Sequence, residues 1–224
     1  MLEAGENLAR TIDHALLAPT LAERELEAGC RLAIHYRVAS VCVVPYFLPR
    51  CVEILRGSGV KATTTVGFPH GANATSIKQA EAEQALDQGA EELDVVVNIG
   101  KVASGDFAYV RGELSTLVRA VHARSRKIKV IFENAYLDEA QKIALCRICG
   151  ELRADWAKTS TGFAPSGATV DDVLLMRRNC PPEVEIKASG GIKDLASALA
   201  MQRAGATRIG TSRTREILEA YGGG

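Results

Sequence analysis

The stretch "DQGAEELDVVV", residues 87–97, contains the pattern that decides the fold. A glycine and an alanine close a helical segment, acidic residues follow, and a β-branched run begins. Glycine after a helix supplies a left-handed cap, from which the chain turns into a strand. The phrase recurs in "RAGATRIG", residues 203–210, and more loosely in "GELRADWAK", residues 150–158. These segments predict a repeated helix-to-strand unit.

On both sides of this stretch, short β-branched runs alternate with longer helical patterns. Strands are predicted over residues 12–16, 38–43, 62–66, 93–97, 128–132, 156–159, 184–188 and 207–209. Helices are predicted over residues 22–36, 49–56, 75–88, 107–124, 138–152, 169–176, 194–204 and 213–220. Strands separated by helices favour parallel pairing, and eight such units can close into a TIM (β/α)8 barrel. A doubly wound open sheet is the alternative, but no GxGxxG or GxxxxGK[ST] motif follows a strand.

The overall composition limits the classes of function. The 224 residues include 27 basic and 27 acidic side chains, so no charge bias points to nucleic acid. No apolar run approaches the roughly 20 residues of a membrane span, and the acidic start does not resemble a signal peptide. We expect a cytoplasmic protein of one domain, residues 1–224, with a flexible tail at residues 221–224.

The cysteines and histidines do not suggest a metal or redox centre. The six cysteines lie in segments that read as buried or helical, so reduced thiols are expected. Cys146 and Cys149 form a CxxC on one face of a predicted helix, where packing is favoured over redox or metal chemistry. The four histidines have no ligand spacing. No metal site is predicted.

Three charged residues lie in apolar strand segments, where a charge is costly unless it is paired or used. They are Asp94, Lys158 and Lys187. Each could belong to a buried ion pair, or be a lysine whose amine reaches solvent. Small residues or glycines follow all three near strand ends, where active sites of barrels lie. The pattern as a whole favours catalysis.

The chemistry that two neighbouring lysines support is imine formation. Strands six and seven are adjacent in a barrel, so Lys158 and Lys187 could bring their amines together. A like charge and burial both lower a lysine pKa, and a drop of around three units corresponds to roughly 4 kcal/mol. Asp94 would hold one lysine charged and relay protons, while the neutral amine attacks a carbonyl.

Two glycine-containing loops predict a phosphate site. Ser189-Gly190-Gly191 follows strand seven, and Gly210-Thr211-Ser212 follows strand eight and opens the last helix. Free backbone N–H groups in these loops of a barrel point at an anion. Ordinary turn glycines are the alternative for either loop alone. The two together favour a phosphorylated substrate.

Ordered sequence blocks over nearly the whole chain resemble the deoxyribose-phosphate aldolase family of class I aldolases. The blocks are "IDHALL", "VCVVP", "TTTVGFPHGANATSIKQAEAEQALDQGAEELDVVVNIG", "KTSTGF", "GATVDDVLLMR", "EIKASGGI" and "AGATRIGTS". The resemblance implies a TIM barrel that reversibly cleaves 2-deoxyribose 5-phosphate to glyceraldehyde 3-phosphate and acetaldehyde. It implies phosphosugar and aldehyde substrates and no metal or organic cofactor.

The same resemblance assigns roles to individual residues. Lys158 matches the Schiff-base lysine, Lys187 the lysine that tunes it, and Asp94 the carboxylate of the proton relay. Asp13 matches an aspartate that faces the substrate. The remaining matched residues are Thr159 and Gly162 beside the Schiff-base lysine, and Gly190, Gly191 and Ser212 in the phosphate-binding loops.

Three positions depart from the family pattern. Arg213 replaces a serine and is hypothesised to reach the phosphate. Asn134 replaces a threonine, which puts a role for it in doubt, and Tyr221 is interpreted as part of a frayed end. The alternative functions are a Schiff-base aldolase for another phosphosugar and a barrel that binds a phosphosugar without turnover. A homodimer or a higher homo-oligomer is compatible with the sequence.

Overall fold

The computed structural model describes residues 8–222, and its eight parallel strands close into a barrel in chain order. The strands are β1 (Ile12–Leu16), β2 (Ser40–Val43), β3 (Lys61–Val66), β4 (Glu92–Val96), β5 (Lys127–Ile131), β6 (Trp156–Lys158), β7 (Glu185–Ser189) and β8 (Arg208–Thr211). Strand β1 pairs with both β2 and β8, which closes the sheet. The predicted TIM barrel is confirmed, and the open sheet is excluded.

Helices surround this barrel. In the described part of the chain they are α1 (Glu23–Tyr36), α2 (Leu48–Leu55), α3 (Thr75–Asp87), α4 (Ile99–Ala103), α5 (Phe107–Ala123), α6 (Glu139–Leu152), α7 (Val170–Asn179), α8 (Leu195–Arg203) and α9 (Thr214–Gly222). The sequence did not predict α4, a short helix between β4 and α5. Its N-cap is Asn98, whose side chain accepts a hydrogen bond from the Lys101 backbone N–H.

The helix ends in the three predicted helix-to-strand segments share one geometry. Gly89 and Gly205 have positive φ angles of 99° and 110°, as the predicted left-handed caps require. At the looser third site the left-handed residue is Arg153, with φ 56°. In all three, the N–H of the following residue donates to a carbonyl five residues earlier, as from Ala90 to Ala85 at 3.0 Å. This bond ends the helix and directs the chain into the next strand.

Alternate residues of each strand face opposite sides of the barrel wall. On β4, Leu93 and Val95 belong to the apolar core between the strands and the helices. Glu92 and Asp94 face the interior, where they bond to residues of other strands. Branched aliphatic residues usually fill a barrel of this kind, whereas here much of the interior is ionic. The apolar layer outside the strands therefore carries most of the hydrophobic stabilisation.

The C-terminal helix includes the first two residues of the expected tail. Helix α9 extends to Gly222, and Tyr221 packs partly against the core. Residues 223 and 224, the rest of that tail, lie outside the described range. None of the helices between residues 8 and 222 has the length and apolar character needed to cross a membrane. All six cysteines are free and buried, including the CxxC pair.

Candidate active site

Asp94 lies at the centre of an ionic cluster inside the barrel. One of its oxygens, Oδ2, accepts hydrogen bonds from Lys158 Nζ at 2.6 Å and from Lys187 Nζ at 2.8 Å. The other, Oδ1, accepts from Lys129 Nζ at 2.9 Å. Burial alone would raise the pKa of Asp94, but the three lysines hold it well below its ordinary value. The structure thus brings the three predicted catalytic residues together, with both amines on one oxygen.

Lys158 has the environment that imine chemistry requires. Its side chain is only 3% exposed, and its amine has one carboxylate partner, Asp94. Burial lowers the pKa of Lys158, the charge of Asp94 opposes this, and the charge of Lys187 lowers the pKa further. The amine therefore loses its proton more readily than an exposed lysine does.

The surroundings of Lys187 favour its charged form, in contrast to those of Lys158. Its amine donates to Asp13 Oδ2 at 2.5 Å and to Asp94 Oδ2 at 2.8 Å. Burial would lower the pKa of Lys187, but the charges of Asp13 and Asp94 outweigh burial and raise it. Two lysines on adjacent strands thus have opposite pKa shifts, which is the arrangement expected of a charged and an uncharged partner.

Both amines lie at a cavity of about 530 Å³ that opens at the C-terminal ends of the strands. Its lining includes most of the predicted substrate-binding residues: Asp13, Gly162, Gly190, Gly191, Gly210, Thr211 and Ser212. Lys193 and Arg213 line the same cavity beside the glycine loops. Cations and glycine loops meet at one end of the cavity, and Lys158, the lysine predicted to form an imine, also lines it.

The hydroxyls of two threonines that were predicted to bind the substrate form hydrogen bonds with backbone groups of the protein. Thr159 is fully buried and does not line the cavity; its hydroxyl donates to the Ser189 carbonyl at 3.2 Å and accepts from the Ser189 N–H. The Thr211 hydroxyl donates to the Ile192 carbonyl at 2.8 Å. Both hydroxyls therefore join neighbouring loops of the rim.

The glycines of the rim provide space as well as turns. Gly210 lies within β8, and a Cβ there would come within 2.8 Å of Ser189 and 3.3 Å of Lys187. Gly190 packs against Gly167 of the loop after β6, where a Cβ on Gly167 would lie 2.1 Å from the Gly190 carbonyl oxygen. These contacts leave no room for a side chain between the two loops.

Three interior charged residues were not predicted from the sequence: Glu92, Lys129 and Arg208. Lys129 contacts Glu92, Asp94 and Asp13 at 2.5, 2.9 and 3.5 Å. Arg208 donates to Asp13 at 2.6 Å and to Glu92 at 2.9 Å. Lys129 is flanked by Ile128 and Val130 and so has apolar neighbours like those of Lys158, but no small residue or glycine follows it near the end of its strand.

Glu133, at the end of β5, holds the loop that follows Lys158. Its carboxylate accepts hydrogen bonds from the Thr161 backbone N–H at 3.1 Å and from the Thr161 hydroxyl. Glu133 is buried and has a left-handed φ of 60°. The adjacent Asn134 bonds through its side chain to Met176 Sδ at 3.4 Å, away from this loop. The side chain that orders the loop is therefore that of Glu133.

Replacing Glu133 with glutamine is expected to lower kcat/KM by about tenfold, because small displacements of positioning groups are costly. The amide has one oxygen in place of two, so it can accept only one of the two hydrogen bonds from Thr161, which loosens the loop that lines the cavity. Steady-state kinetics would show the effect, with Thr161→Ser as a control that keeps the hydroxyl. Unchanged kinetics for Glu133→Gln would contradict this role.

Comparison with known proteins agrees with this geometry. The model of the DeoC/LacD family aldolases matches residues 8–220. A deoxyribose-phosphate aldolase of Rhodopirellula baltica is 54% identical, with 95% of this chain and 88% of that protein covered. One from Thermococcus gammatolerans is 44% identical, with 96% of each chain covered. A tetrameric deoxyribose phosphate aldolase structure from Aeropyrum pernix matches with a TM-score of 0.91 and 31% identity, covering 99% of this chain and 93% of that one. The chain belongs to the DeoC/LacD family of aldolases.

Proposed function

We propose that the protein reversibly cleaves 2-deoxy-D-ribose 5-phosphate to D-glyceraldehyde 3-phosphate and acetaldehyde. The observation that carries the proposal is the pair of buried amines on Asp94 Oδ2, of which only Lys158 has a lowered pKa. The names of the close relatives support the choice of sugar phosphate.

The reaction begins when the uncharged Lys158 amine attacks the C1 aldehyde carbon, and loss of water gives a protonated imine. Removal of the C3 hydroxyl proton then breaks the C2–C3 bond, whose electron pair moves toward the imine. Glyceraldehyde 3-phosphate, carrying C3 to C5, leaves. The enamine that remains is protonated at C2, and its hydrolysis releases acetaldehyde and the free amine.

Asp94 carries the protons in this proposal, and Lys187 supplies a positive charge beside Lys158. The low pKa of Asp94 makes the carboxylate a transient acceptor that passes a proton on. Lys187, kept charged by Asp13 and Asp94, donates hydrogen bonds and places a fixed positive charge beside Lys158. That charge disfavours protonation of the neighbouring amine, so Lys158 is ready to attack.

Trapping the imine tests the proposal. Borohydride added with 2-deoxyribose 5-phosphate should leave a covalent adduct on the Lys158 peptide, detected by mass spectrometry. Lys78 is an internal control: it is also fully buried with a lowered pKa, but it bonds to Glu113 at 2.8 Å and does not line the cavity. An adduct absent from Lys158 would end the imine mechanism. Failure of acetaldehyde to serve as donor would favour an aldolase for a different substrate.

The phosphate is proposed to bind at the end of the cavity formed by Gly190, Gly191 and Ser212. Backbone N–H groups and the hydroxyl would contact its oxygens, and Lys193 and Arg213 would add positive charge. Arg213 now bonds to Glu216 at 2.9 Å on the exposed side of α9. Arg213 also lines the cavity, and its guanidinium would exchange this solvent-exposed partner for a phosphate.

Replacing Arg213 with alanine is expected to raise KM for 2-deoxyribose 5-phosphate by about tenfold, the value of one charge-assisted hydrogen bond. KM for unphosphorylated 2-deoxyribose should not change, because that sugar has no group for the arginine to contact. The two substrates are compared in one steady-state assay. Equal KM values for wild type and variant on the phosphorylated sugar would contradict the assignment.

We further propose that the enzyme acts in the cytoplasm as a homo-oligomer. The tetrameric assembly of the Aeropyrum pernix relative supports the second point. Light scattering at working concentration would test it.

A further inference from the structure

Among residues 8–222, seven buried ionisable side chains in the interior of the barrel contact one another across six strands. The carboxylates are Asp13, Glu92 and Asp94, and the basic groups are Lys129, Lys158, Lys187 and Arg208. Charges removed from water must be balanced by opposite charges or given up by a change of protonation. The three carboxylates need three positive charges, so one of the four basic groups is surplus.

The contacts identify the surplus group. Lys129 contacts three carboxylates, and Lys187 and Arg208 contact two each. Lys158 contacts only Asp94, through an oxygen that also accepts from Lys187. Its ammonium form therefore gains the least from the cluster.

Other ionisable groups near the cluster do not alter this balance. Cys42 lines the cavity, and burial raises the pKa of its thiol to about 12, so it stays uncharged. Lys61 bonds to Glu92 at 3.1 Å, but its side chain is 40% exposed and its charge is screened by water. Glu133 is bonded to Thr161 in the loop beyond β6.

Arg208 is a balancing cation that lies outside the cavity and does not contact Lys158. It is the first residue of β8 and does not line the cavity. Its guanidinium bonds to Asp13 and Glu92 and lies 4.7 Å from the centre of the Trp156 ring. Because an arginine does not lose its proton in proteins, this charge is permanent.

We propose that Arg208 is a positioning residue for the aldolase reaction: it supplies the third buried positive charge, so Lys158 is not needed as a counter-ion and reacts uncharged. The inference rests on the proposed function and extends it to residues that do not touch the substrate. It makes the reactivity of Lys158 depend on the charge balance of the whole barrel interior.

The test measures the pH at which Lys158 becomes reactive. Purified full-length protein is incubated with acetaldehyde and cyanoborohydride across about pH 5 to 9, a range that spans lowered lysine pKa values. The rate of adduct formation on the Lys158 peptide gives a midpoint. In Arg208→Gln we expect the midpoint to rise by about one pH unit. At a fixed pH below the midpoint, the rate of adduct formation should therefore be about tenfold lower than in the wild type.

A pair of charge-neutralising variants separates this effect from structural damage. Glu92→Gln removes one negative charge and should move the midpoint to lower pH. The double variant Arg208→Gln/Glu92→Gln restores the balance and should return the midpoint to within a few tenths of a unit of the wild type, even if it is the least stable protein. Arg208→Lys keeps the charge and should keep the midpoint.

Lys127→Gln is the matched control. Lys127 also lies over the Trp156 ring, at 4.9 Å, but its side chain is half exposed and faces Asp155 outside the cluster. Its midpoint should equal that of the wild type.

Each outcome decides the question. An unchanged midpoint in Arg208→Gln, with the adduct still forming, overturns the inference and leaves the proposed function intact. If that variant does not fold, Glu92→Gln decides, and a midpoint that fails to fall overturns the inference. Absence of any adduct in the wild type would instead overturn the proposed function.

Discussion

Replacing Lys158 with methionine is expected to abolish turnover and to make the protein more stable. Without the amine there is no imine, so kcat should fall by at least about 10⁴-fold, as for loss of a catalytic nucleophile. The methionine side chain has a similar length and no charge to desolvate. Asp94 keeps its bonds to Lys187 and Lys129, so no buried charge is left unpaired. The free energy of unfolding should rise by about 1–2 kcal/mol.

Denaturant unfolding and a coupled assay for glyceraldehyde 3-phosphate would check both effects. Lys78→Met is the matched control, because Lys78 is equally buried but is the cation that neutralises Glu113. Its loss leaves a buried carboxylate unpaired and should cost about 3–5 kcal/mol. Where that variant is folded, its kcat should stay near the wild-type value. A Lys158→Met protein that loses stability as Lys78→Met does would contradict the surplus role of Lys158.

The second large effect is expected for Asp94→Asn, which should lose both activity and stability. The amide cannot relay protons, and loss of acid–base catalysis typically costs 10²- to 10⁴-fold. It also removes the negative charge that Lys129 and Lys187 share, at a cost of about 3–5 kcal/mol for a broken buried ion pair. Activity and unfolding are measured on the same preparation.

The pH dependence of stability provides a further check on Asp94. Its pKa is lowered in the folded protein, so its ionisation stabilises the fold above the unfolded-state pKa of about 4. As the pH falls below that value, this contribution is lost by about 1.4 kcal/mol per pH unit. The difference in free energy of unfolding between the wild type and Asp94→Asn should therefore decrease as the pH is lowered from about 4 to about 2. A difference that does not change with pH would show that the Asp94 carboxylate stabilises the fold through packing alone.

The strands of the barrel were predictable because both of their faces obey simple rules. Outward residues such as Leu93 and Val95 form β-branched or aliphatic runs, and glycine caps at Gly89 and Gly205 mark where β4 and β8 begin. The short helix α4 was not predictable, because five residues are too few to show a helical period.

The central site could also be found from the sequence, since Lys158 and Lys187 occupy the same register on neighbouring strands. The rest of the ionic cluster could not. Which residues meet across a barrel depends on the tilt and stagger of its strands. Thus Arg208 at the start of β8 bonds to Glu92 on β4, and no local sequence pattern predicts this contact.

The contact between Gly167 and Gly190 has a consequence for engineering the enzyme. The loop after β6 and the loop after β7 fit backbone against backbone, so neither can accept an insertion or a larger residue at this point by itself. Grafting a loop from another barrel would have to transplant both segments as a unit. Libraries that diversify substrate scope should therefore randomise the two loops jointly and leave this pair of glycines fixed.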